Sequence, residues 1–291
     1  MKRVVIVGGG IAGLACAYEL SKGGAAVTIV EKDKLGGVIR TERHGELLIE
    51  GGPDSFITQK PWAKELCEEL GLADQLIPSK SGKVYVWYRD RLHEMPAGLY
   101  LTVPTRIWPF LTSGLISFLG KLRMGMDLLL PRGPEVEDES IGAFIRRRLG
   151  AEALEKLAEP IMAGIYVASA DELSLRSTFP RFAEMEREHR SLIKAMRKTP
   201  RTGNVSPFLS LRDGMKTLVD RLLARMKGVT LLEGKEALQV GPGRVTLDEG
   251  ELQADAVVLA VPTPAARKLW PSIPEVRYVT TTTVSLAYPR Y

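Results

Sequence analysis

The first 31 residues contain a strand pattern, a cluster of glycines, a helical pattern and a second strand pattern, in that order. Residues 4–7 form a β-branched run typical of a parallel strand that is covered on both faces. Gly8, Gly10 and Gly13 follow at G-x-G-x-x-G spacing. At this spacing the first glycine permits a tight turn, the second lets a pyrophosphate approach the backbone, and the third packs the helix against the strand. The complete order predicts a dinucleotide-binding α/β unit rather than a glycine turn that binds nothing.

The turn also defines the start of the first helix and the end of the second strand. Gly9, Ile11 and Ala12 complete the turn, and the first N–H groups of a helix lack intrahelical partners and attract an anion. The second strand, "AAVTIV", is followed by Glu31 and Lys32. An acid in this place accepts hydrogen bonds from ribose hydroxyls and repels a 2′-phosphate.

Two more glycine pairs follow, Gly36 with Gly37 and Gly51 with Gly52. A nicotinamide dehydrogenase usually continues at this point into another helix and strand. Loops rich in glycine can instead run along an extended cofactor and bring N–H groups to a second phosphate or a ring edge. Two ordinary turns are the alternative interpretation.

The rest of the chain favours a helical insertion followed by a return to the first sheet. From about residue 61 to 201 the patterns are mostly helical, including "PWAKELCEELGL" and "SIGAFIRRRLG", with Pro160 and Gly164 interrupting "EKLAEPIMAGIYVAS". "GMKTLVDRLLARMKG" predicts an amphipathic helix. "VTLLEGKEALQV", "RVTLDEG" and "ADAVVLAVP" predict strands, and "DAVVLAVP" predicts a fully buried one that rejoins the sheet.

The composition indicates a globular chain without a nucleic-acid partner. With 291 residues, of which 45% are hydrophobic, the chain has room for about two domains. Its 40 basic and 35 acidic residues give a net charge of +5, and no nucleic-acid motif accompanies the excess. We interpret the basic residues, including the run at 146–148, as solvated side chains on helices.

Other residue types indicate a cytoplasmic protein without a metal. His44, His93 and His189 show no metal-ligand spacing, and Cys16 and Cys67 are typical of small buried residues in a reducing compartment. The tract "IWPFLTSGLISFLG" is too short to span a bilayer. It is compatible with peripheral contact with a membrane surface, although burial in a helical domain is the commoner fate.

Six motifs together resemble the protoporphyrinogen and coproporphyrinogen oxidases of the soluble Gram-positive type, within the amine-oxidase-like flavoproteins. These motifs are "VVIVGGGIAGL", "LGGVIRT", "EGGPDSF", "GIYVASADELSLRSTFPRF", "SLRDGMKTLVDRL" and "DAVVLAVPTPAA". The first and the last are shared with the wider group, whereas "GGPDSF" and "GIY" with "LSLRSTFPRF" are more specific. The resemblance implies FAD-dependent oxidation of a porphyrinogen by dioxygen in haem synthesis, with transient contact to the next enzyme of the pathway.

The resemblance also implies which residues bind the cofactor. The glycine turn would hold the pyrophosphate and Glu31 the adenosine ribose, the next two glycine pairs would follow the cofactor to the flavin, and the backbone of Ala237 would meet the adenine. The implied FAD-binding residues are Gly8, Gly9, Gly10, Ile11, Ala12, Gly13, Glu31, Lys32, Gly36, Gly37, Arg40, Gly51, Gly52, Pro53, Asp54 and Ala237.

Substrate binding is expected at three residues. Lys60 is expected to pair with a substrate carboxylate, with a solvated lysine as the alternative, and Ile165 and Tyr166 are expected to line the pocket, with core packing as the alternative. No Ser-His-Asp, Cys-His or paired-carboxylate arrangement is present, so no residue is assigned as a catalytic base. The sequence does not decide between coproporphyrinogen III and protoporphyrinogen IX as the substrate. The resemblance to the Gram-positive type favours coproporphyrinogen III.

The expected fold class is α/β. A discontinuous Rossmann-like FAD-binding domain covers residues 1–60 and 210–262, and a mainly helical insertion covers 86–174. Part of an α+β substrate domain covers 61–85, 175–209 and 263–291. Because family members continue well beyond "TTTTVSLAYPRY", we expect a chain truncated at its C-terminus, with a strand at residues 279–288 left as an open edge. A carotenoid desaturase, an amine oxidase and a catalytically silent flavin-binding module are the alternative functions.

Overall fold

The chain divides into two compact units. A computed structural model describes residues 1–80, 83–96, 98–100, 102–134, 136–198 and 206–289. The first unit combines residues 1–80 with 205–291, and the second unit comprises residues 81–204. The division into an FAD-binding domain, a substrate domain and a helical insertion stays a prediction. The segments predicted for the substrate domain are divided between the two units, with residues 61–80 and 263–291 in the first and 175–204 in the second.

The strands, numbered in chain order, are mostly short. They are β1 (Arg3–Val7), β2 (Ala26–Glu31), β3 (Thr41–His44), β4 (Leu47–Glu50), β5 (Phe56–Ile57), β6 (Leu76–Pro78), β7 (Tyr85–Tyr88), β8 (Arg91–Glu94), β9 (Leu99–Tyr100), β10 (Val103–Pro104), β11 (Phe208–Leu211), β12 (Thr230–Glu233), β13 (Ala237–Gly241), β14 (Arg244–Leu247), β15 (Gly250–Gln253) and β16 (Ala256–Leu259).

The helices are numbered in the same way. They are α1 (Ile11–Lys22), α2 (Trp62–Glu69), α3 (Ile107–Thr112), α4 (Phe118–Gly125), α5 (Ile141–Leu149), α6 (Ala151–Ala153), α7 (Glu159–Tyr166), α8 (Leu175–Thr178), α9 (Pro180–His189), α10 (Leu192–Lys198), α11 (Lys216–Arg225) and α12 (Thr263–Leu269). Short 3₁₀ helices lie at Ala73–Gln75 and Met126–Leu128, and a π-helical turn lies at Leu154–Ala158.

Four strands of the first unit form a parallel sheet in the order β12-β2-β1-β16. Ile6 of β1 lies between Ile29 of β2 and Val258 of β16, while Glu233 of β12 pairs with Glu31 of β2. The two central strands come from the first 31 residues and the outer two from residues 230–259. The sheet is therefore assembled from distant segments, and the predicted return of the chain to this sheet is confirmed.

Both faces of the parallel sheet are covered, because side chains alternate along each strand. Val4 and Ile6 face a core formed with α1 and α11. Val5 and Val7 face a second core formed with α12 and the antiparallel sheet β13-β14-β15. This layering confirms the predicted α/β fold class.

The prediction that "DAVVLAVP" is a fully buried strand is wrong. β16 lies at the edge of the sheet, and Val257, Val258 and Leu259 are half-buried. The reason is that β16 has one neighbouring strand, β1, among the residues that the structure describes. A β-branched run shows that a strand is apolar but not how many neighbours it has.

The second unit packs short helices around its own core. Buried side chains of this core include Phe144 and Ile145 of α5 and Phe182 of α9. Ser140 caps α5 by accepting a hydrogen bond from the Ala143 N–H, and Gly150 ends the helix with φ +96°. Four short strands, β7–β10, form two hairpins beside the helices.

The interpretation of the basic run at 146–148 as solvated is wrong for Arg148. Its side chain is 1% exposed and forms an ion pair with Asp127, which is fully buried. A long cationic side chain is buried only where charged and polar partners replace water, and here Asp127 and backbone carbonyls supply these partners.

The predicted interruption at Pro160 and Gly164 is also wrong. Helical backbone runs from α6 through the π-helical turn to the end of α7, with Pro160 in the first turn of α7.

The predicted strand at residues 279–288 is absent. Residues 274–289 have no regular secondary structure, and residues 279–288 are exposed. A threonine- and valine-rich run becomes a strand only where a neighbouring strand takes up its backbone hydrogen bonds. None of the described strands pairs with this run.

Candidate functional site

The three glycines of the first motif occupy three different environments. Gly8 has φ +111°, and a Cβ atom there would lie 2.5 Å from the Ala260 carbonyl oxygen. At Gly13 an added Cβ would overlap the carbonyl of Gly8, so this glycine lets α1 pack directly on the turn. A Cβ at Gly10 would meet no atom within 4 Å. Gly8 and Gly13 are therefore required by the protein itself, while Gly10 faces open space.

The open space at Gly10 lies at the start of α1. Gly10 precedes α1 without a side-chain cap, and the first hydrogen bond of the helix runs from the Leu14 N–H to the Gly10 carbonyl. The N–H groups of Ile11, Ala12 and Gly13 come before that bond and have no acceptor within the helix. An open approach beside these N–H groups fits a pyrophosphate, which is an anion that a helix N-terminus favours.

Glu31 connects the end of β2 to the glycine turn. Its carboxylate accepts a hydrogen bond of 2.6 Å from the Gly9 N–H and one of 2.8 Å from the Asp33 N–H. Each carboxylate oxygen can accept more than one hydrogen bond. Glu31 is half-buried, so it retains acceptor capacity for ribose hydroxyls while it fixes the turn. Lys32 is exposed beside it.

The second glycine pair folds back onto the first motif. The Gly36 N–H donates to the Gly9 carbonyl at 2.8 Å. Gly36 and Gly37 have φ of +98° and +59°, which few other residues adopt, and a Cβ at Gly37 would lie 3.3 Å from Cα of Gly10. The two glycine motifs are thus neighbouring walls of one cradle.

The third glycine pair packs against the segment that follows the second. A Cβ at Gly52 would overlap the carbonyl of Val38. The Gly51 N–H donates to the Arg40 carbonyl at 2.7 Å, and Nε of Arg40 donates to the Gly37 carbonyl at 3.2 Å. Gly51 and Gly52 are therefore joined to residues 38–40 through backbone contacts, and Arg40 contacts the cradle through its side chain.

The next predicted residues, Pro53 and Asp54, lie on the exposed segment between β4 and β5. The Asp54 carbonyl accepts a hydrogen bond of 2.6 Å from Oγ of Ser210, and Oδ1 of the same residue accepts one of 2.7 Å from Oγ of Ser55. Ala237 is half-buried at the start of β13, where it pairs with Leu247. Their roles toward the cofactor stay predictions.

The predicted substrate residues fall into both units. Lys60, in the first unit, is exposed and its Nζ lies 6.0 Å from the ring centroid of Trp62. In the second unit, Ile165 is 60% exposed, whereas Tyr166 is half-buried and its ring meets Phe179 edge-on with centroids 5.9 Å apart. Tyr166 thus takes part in core packing, and Ile165 does not.

Three residues near the cradle were not identified from the sequence. Glu50 accepts a hydrogen bond of 2.8 Å from the Met215 N–H, and Thr41 accepts one of 3.0 Å from the Lys216 N–H, so the β3-β4 hairpin holds the start of α11. Glu233 accepts a hydrogen bond from the loop that carries the second glycine pair. All three partners are distant in sequence, and no local pattern marks them.

Two negative findings apply to the described part of the chain. Within it, no group of three or more His, Cys, Asp or Glu side chains is placed to hold a metal ion. None of the described helices combines the length and the apolar character needed to cross a membrane.

Comparison with known proteins identifies a flavoprotein family. Residues 11–291 match the family described as flavin containing amine oxidoreductase. The chain is 39% identical to the coproporphyrinogen III oxidase of Propionibacterium freudenreichii over 99% of its own length, and 37% identical to that of Bacillus subtilis over 96%. A crystal structure of a putative protoporphyrinogen oxidase from Exiguobacterium superposes on 93% of the chain, with a TM-score of 0.81 and 33% identity. The superposed part corresponds to 62% of the Exiguobacterium chain.

The matches confirm the resemblance to the porphyrinogen oxidases that the six motifs indicate. The chain spans 63% of the length of each of the two curated relatives. The family match supports FAD as the cofactor.

Proposed function

The chain belongs to the flavin containing amine oxidoreductase family, and we propose that it carries out FAD-dependent oxidation of a porphyrinogen, with coproporphyrinogen III as the substrate. The observation that gives the proposed FAD binding its main support is the cradle formed by the first and second glycine motifs. Gly10 faces open space beside the helix N-terminus, while the loop of Gly36 and Gly37 is hydrogen-bonded against it. An elongated dinucleotide with a pyrophosphate at its centre matches such a cradle.

Each part of FAD has an assigned partner in this proposal. The N–H groups of Ile11, Ala12 and Gly13 bind the pyrophosphate, and Glu31 accepts hydrogen bonds from the adenosine ribose. The backbone of Ala237 meets the adenine. Gly51, Gly52 and Arg40 extend the cradle towards the flavin. The other predicted cofactor residues are Gly8, Gly9, Gly10, Lys32, Gly36, Gly37, Pro53 and Asp54.

When bound, the flavin supplies the two-electron acceptor for the methylene bridges of the substrate, and dioxygen takes up the electrons. The protein binds and orients the macrocycle and excludes water. Three such oxidations convert a porphyrinogen into a porphyrin. We assign no side chain as a base.

The substrate carries carboxylates, and Lys60 is the cation that we propose to pair with one of them. It follows the segment with the third glycine pair in sequence and is exposed, so its ammonium group is available to a ligand. Ile165, which presents most of its side chain to solvent, is proposed to contact an apolar part of the macrocycle. Tyr166, the next residue, packs against the core of the second unit. Coproporphyrinogen III is preferred because the two curated relatives described above are named as oxidases of that substrate.

A lipid surface is the proposed peripheral partner of the second unit. On α4, Phe118, Leu119 and Leu122 are 81%, 73% and 62% exposed and are spaced so that they share one side of the helix. Trp108 of α3 is 76% exposed, and Nζ of Lys121 donates to the Leu111 and Ser113 carbonyls, so the ends of α3 and α4 are tied together.

The charge of this segment favours an anionic membrane. Residues 105–132 contain four cations, Arg106, Lys121, Arg123 and Arg132, and one acid, Asp127, which is buried. Apolar side chains next to cations are typical of surfaces that bind anionic lipid. Transient contact with the enzyme that takes up the porphyrin stays a prediction.

Two measurements test the proposed function. The 291-residue chain is first titrated with FAD and, separately, with NAD, with bound flavin followed by absorbance and fluorescence. Coproporphyrinogen III and protoporphyrinogen IX are then supplied in the presence of oxygen and porphyrin fluorescence is recorded. We expect FAD binding and a faster appearance of coproporphyrin. Binding of NAD without FAD would contradict the proposal, as would a flavin-loaded chain that oxidises an amine or a carotenoid but no porphyrinogen.

A further inference from the structure

Glu233 lies at the end of β12, beside Glu31 at the end of β2. The two glutamates are paired in register between neighbouring parallel strands. Adjacent strands are about 4.8 Å apart, so two carboxylates leave the same edge of the sheet side by side. Glu31 is engaged by the glycine turn through the Gly9 N–H. Glu233 is engaged by a different segment.

The carboxylate of Glu233 holds the loop between β2 and the second glycine pair. Its Oε1 accepts a hydrogen bond of 2.9 Å from the Leu35 N–H, across 198 positions of sequence. Leu35 comes directly before Gly36, whose N–H donates to the Gly9 carbonyl. A hydrogen bond from a backbone N–H to a charged carboxylate is among the stronger kinds.

The position of this loop determines the width of the cradle. A Cβ at Gly9 would lie 2.6 Å from Cδ2 of Leu35, and a Cβ at Gly37 would lie 3.3 Å from Cα of Gly10. The loop is therefore in close contact with the turn on both sides of Gly36. A shift of the loop would change the space beside Gly10, which is where the pyrophosphate is proposed to bind.

We infer that Glu233 is a positioning residue for the flavin cofactor, acting through Leu35 on the second glycine loop without touching FAD. The inference rests on the proposed function, because it assumes that FAD occupies the cradle. It gives the two neighbouring glutamates separate roles: Glu31 fixes the first glycine motif and meets the ribose, and Glu233 fixes the second motif.

The test compares Glu233→Ala, Glu233→Gln and Glu236→Ala in the 291-residue chain freed of flavin. Glu236 is an exposed carboxylate three residues further on, so its variant is a matched control. FAD affinity is measured by quenching of flavin fluorescence, and amide hydrogen exchange of residues 33–37 is measured without flavin. Unfolding midpoints check that each variant is folded.

We expect Glu233→Ala to weaken FAD binding about tenfold and to accelerate exchange in residues 33–37. The amide oxygen of glutamine can accept the same hydrogen bond without the charge, so Glu233→Gln should restore both values to within about threefold of the original chain. Glu236→Ala should change neither.

Equal FAD affinity and equal exchange in Glu233→Ala and the original chain would overturn the inference while leaving the proposed function intact. FAD binding by Glu233→Gln that is as weak as FAD binding by Glu233→Ala would also overturn the inference. The hydrogen bond that residue 233 accepts from Leu35 would then not be what strengthens FAD binding. Absence of FAD binding by the original chain would overturn the proposed function, and with it the role of Glu233.

Discussion

Arg148 and Asp127 form a charge pair inside the second unit, with Nε of Arg148 donating to Oδ1 of Asp127 at 2.7 Å. The second carboxylate oxygen of Asp127 accepts hydrogen bonds from Oγ of Ser191 at 2.6 Å and from the Ile193 N–H at 3.1 Å. The guanidinium also donates to the backbone carbonyls of Pro131, Arg190 and Asp127 itself, and to Oε1 of Glu186 at 3.3 Å. All of these partners are polar, and without Asp127 the Arg148 guanidinium keeps one carboxylate partner among the described residues, Glu186.

Asp127→Ala should lower the free energy of unfolding by about 3 kcal/mol. The buried guanidinium of Arg148 then keeps only the Glu186 carboxylate, at 3.3 Å, and the Ser191 hydroxyl and the Ile193 N–H lose their acceptor. The matched control is Asp171→Ala, since Asp171 pairs with Arg146 at 3.0 Å but both side chains are about half exposed. That change should cost at most about 1 kcal/mol. Urea unfolding measures the free energy of unfolding of both variants. Equal losses of stability would show that the buried ion pair contributes no more to stability than the exposed one.

The stability of the chain should fall in acid through Glu186. Burial acts to raise the pKa of Glu186, but hydrogen bonds from Arg147 and the Gly133 N–H outweigh it and hold the pKa below its ordinary value of 4.5. A carboxyl with a depressed pKa stabilises the folded state above pH 4.5, and this contribution is lost as pH falls through the lowered pKa.

Glu186→Gln should therefore flatten the decline of the unfolding free energy below pH 4.5. The control is Glu184→Gln, which changes an exposed carboxylate on the same helix. Denaturation midpoints measured from neutral pH downwards check this. A decline as steep in Glu186→Gln as in the original chain would assign the acid sensitivity to other groups.

Gly10→Ala should leave the fold intact and weaken FAD binding by about tenfold or more, because the new methyl group would meet no protein atom but would occupy the pyrophosphate approach. Gly114→Ala is the control, since a Cβ there also meets nothing within 4 Å and lies outside the cradle. Flavin titrations and flavin-free unfolding midpoints are compared. An unaltered affinity in Gly10→Ala would place the pyrophosphate elsewhere.

Lys60→Ala should raise KM for the porphyrinogen by about fivefold and leave the flavin content unchanged, which corresponds to roughly 1 kcal/mol for a partly exposed ion pair. Lys64→Ala is the control, because Lys64 is also exposed and its ion pair is with Glu68 of the same helix. Steady-state kinetics measure KM. A KM that does not change in Lys60→Ala would show that Lys60 does not bind a substrate carboxylate and is a solvated surface lysine.

Replacing Trp108 and Phe118 together by serine should reduce binding to vesicles of phosphatidylglycerol and phosphatidylcholine by about tenfold or more, because two large apolar contacts with the lipid are lost. Trp87→Ser is the control, as Trp87 is 64% exposed on β7 and outside α3 and α4. Co-sedimentation with vesicles measures binding. Equal sedimentation of all three chains would contradict a lipid contact at these helices.

Local chemistry made the first motif predictable. The turn at Gly8 and the close packing at Gly13 follow from the absence of a Cβ, and the caps at Ser140 and Gly150 follow from helix-end chemistry. These features depend on residues that are near one another in sequence, so the spacing alone carries the information.

Features that depend on distant partners could not be predicted in this way. Arg148 belongs to a run that resembles a solvated face, and only the fold places Asp127 beside it. The role of Glu233 requires the register between β12 and β2, which no local pattern encodes. For the same reason, the composition of the threonine- and valine-rich run at 279–288 predicts a strand although no neighbouring strand pairs with it among the described residues.

The order of the parallel sheet has a consequence for how the chain folds during synthesis. β1 and β2 leave the ribosome first, but their outer neighbours β12 and β16 follow only after the whole second unit has been made. The second unit is one continuous stretch of the chain, and such units fold sooner than those that close long loops. We expect a nascent chain in which the helical unit is formed while β1 and β2 still have unpaired edges, a stage at which chaperones would protect the first unit from aggregation.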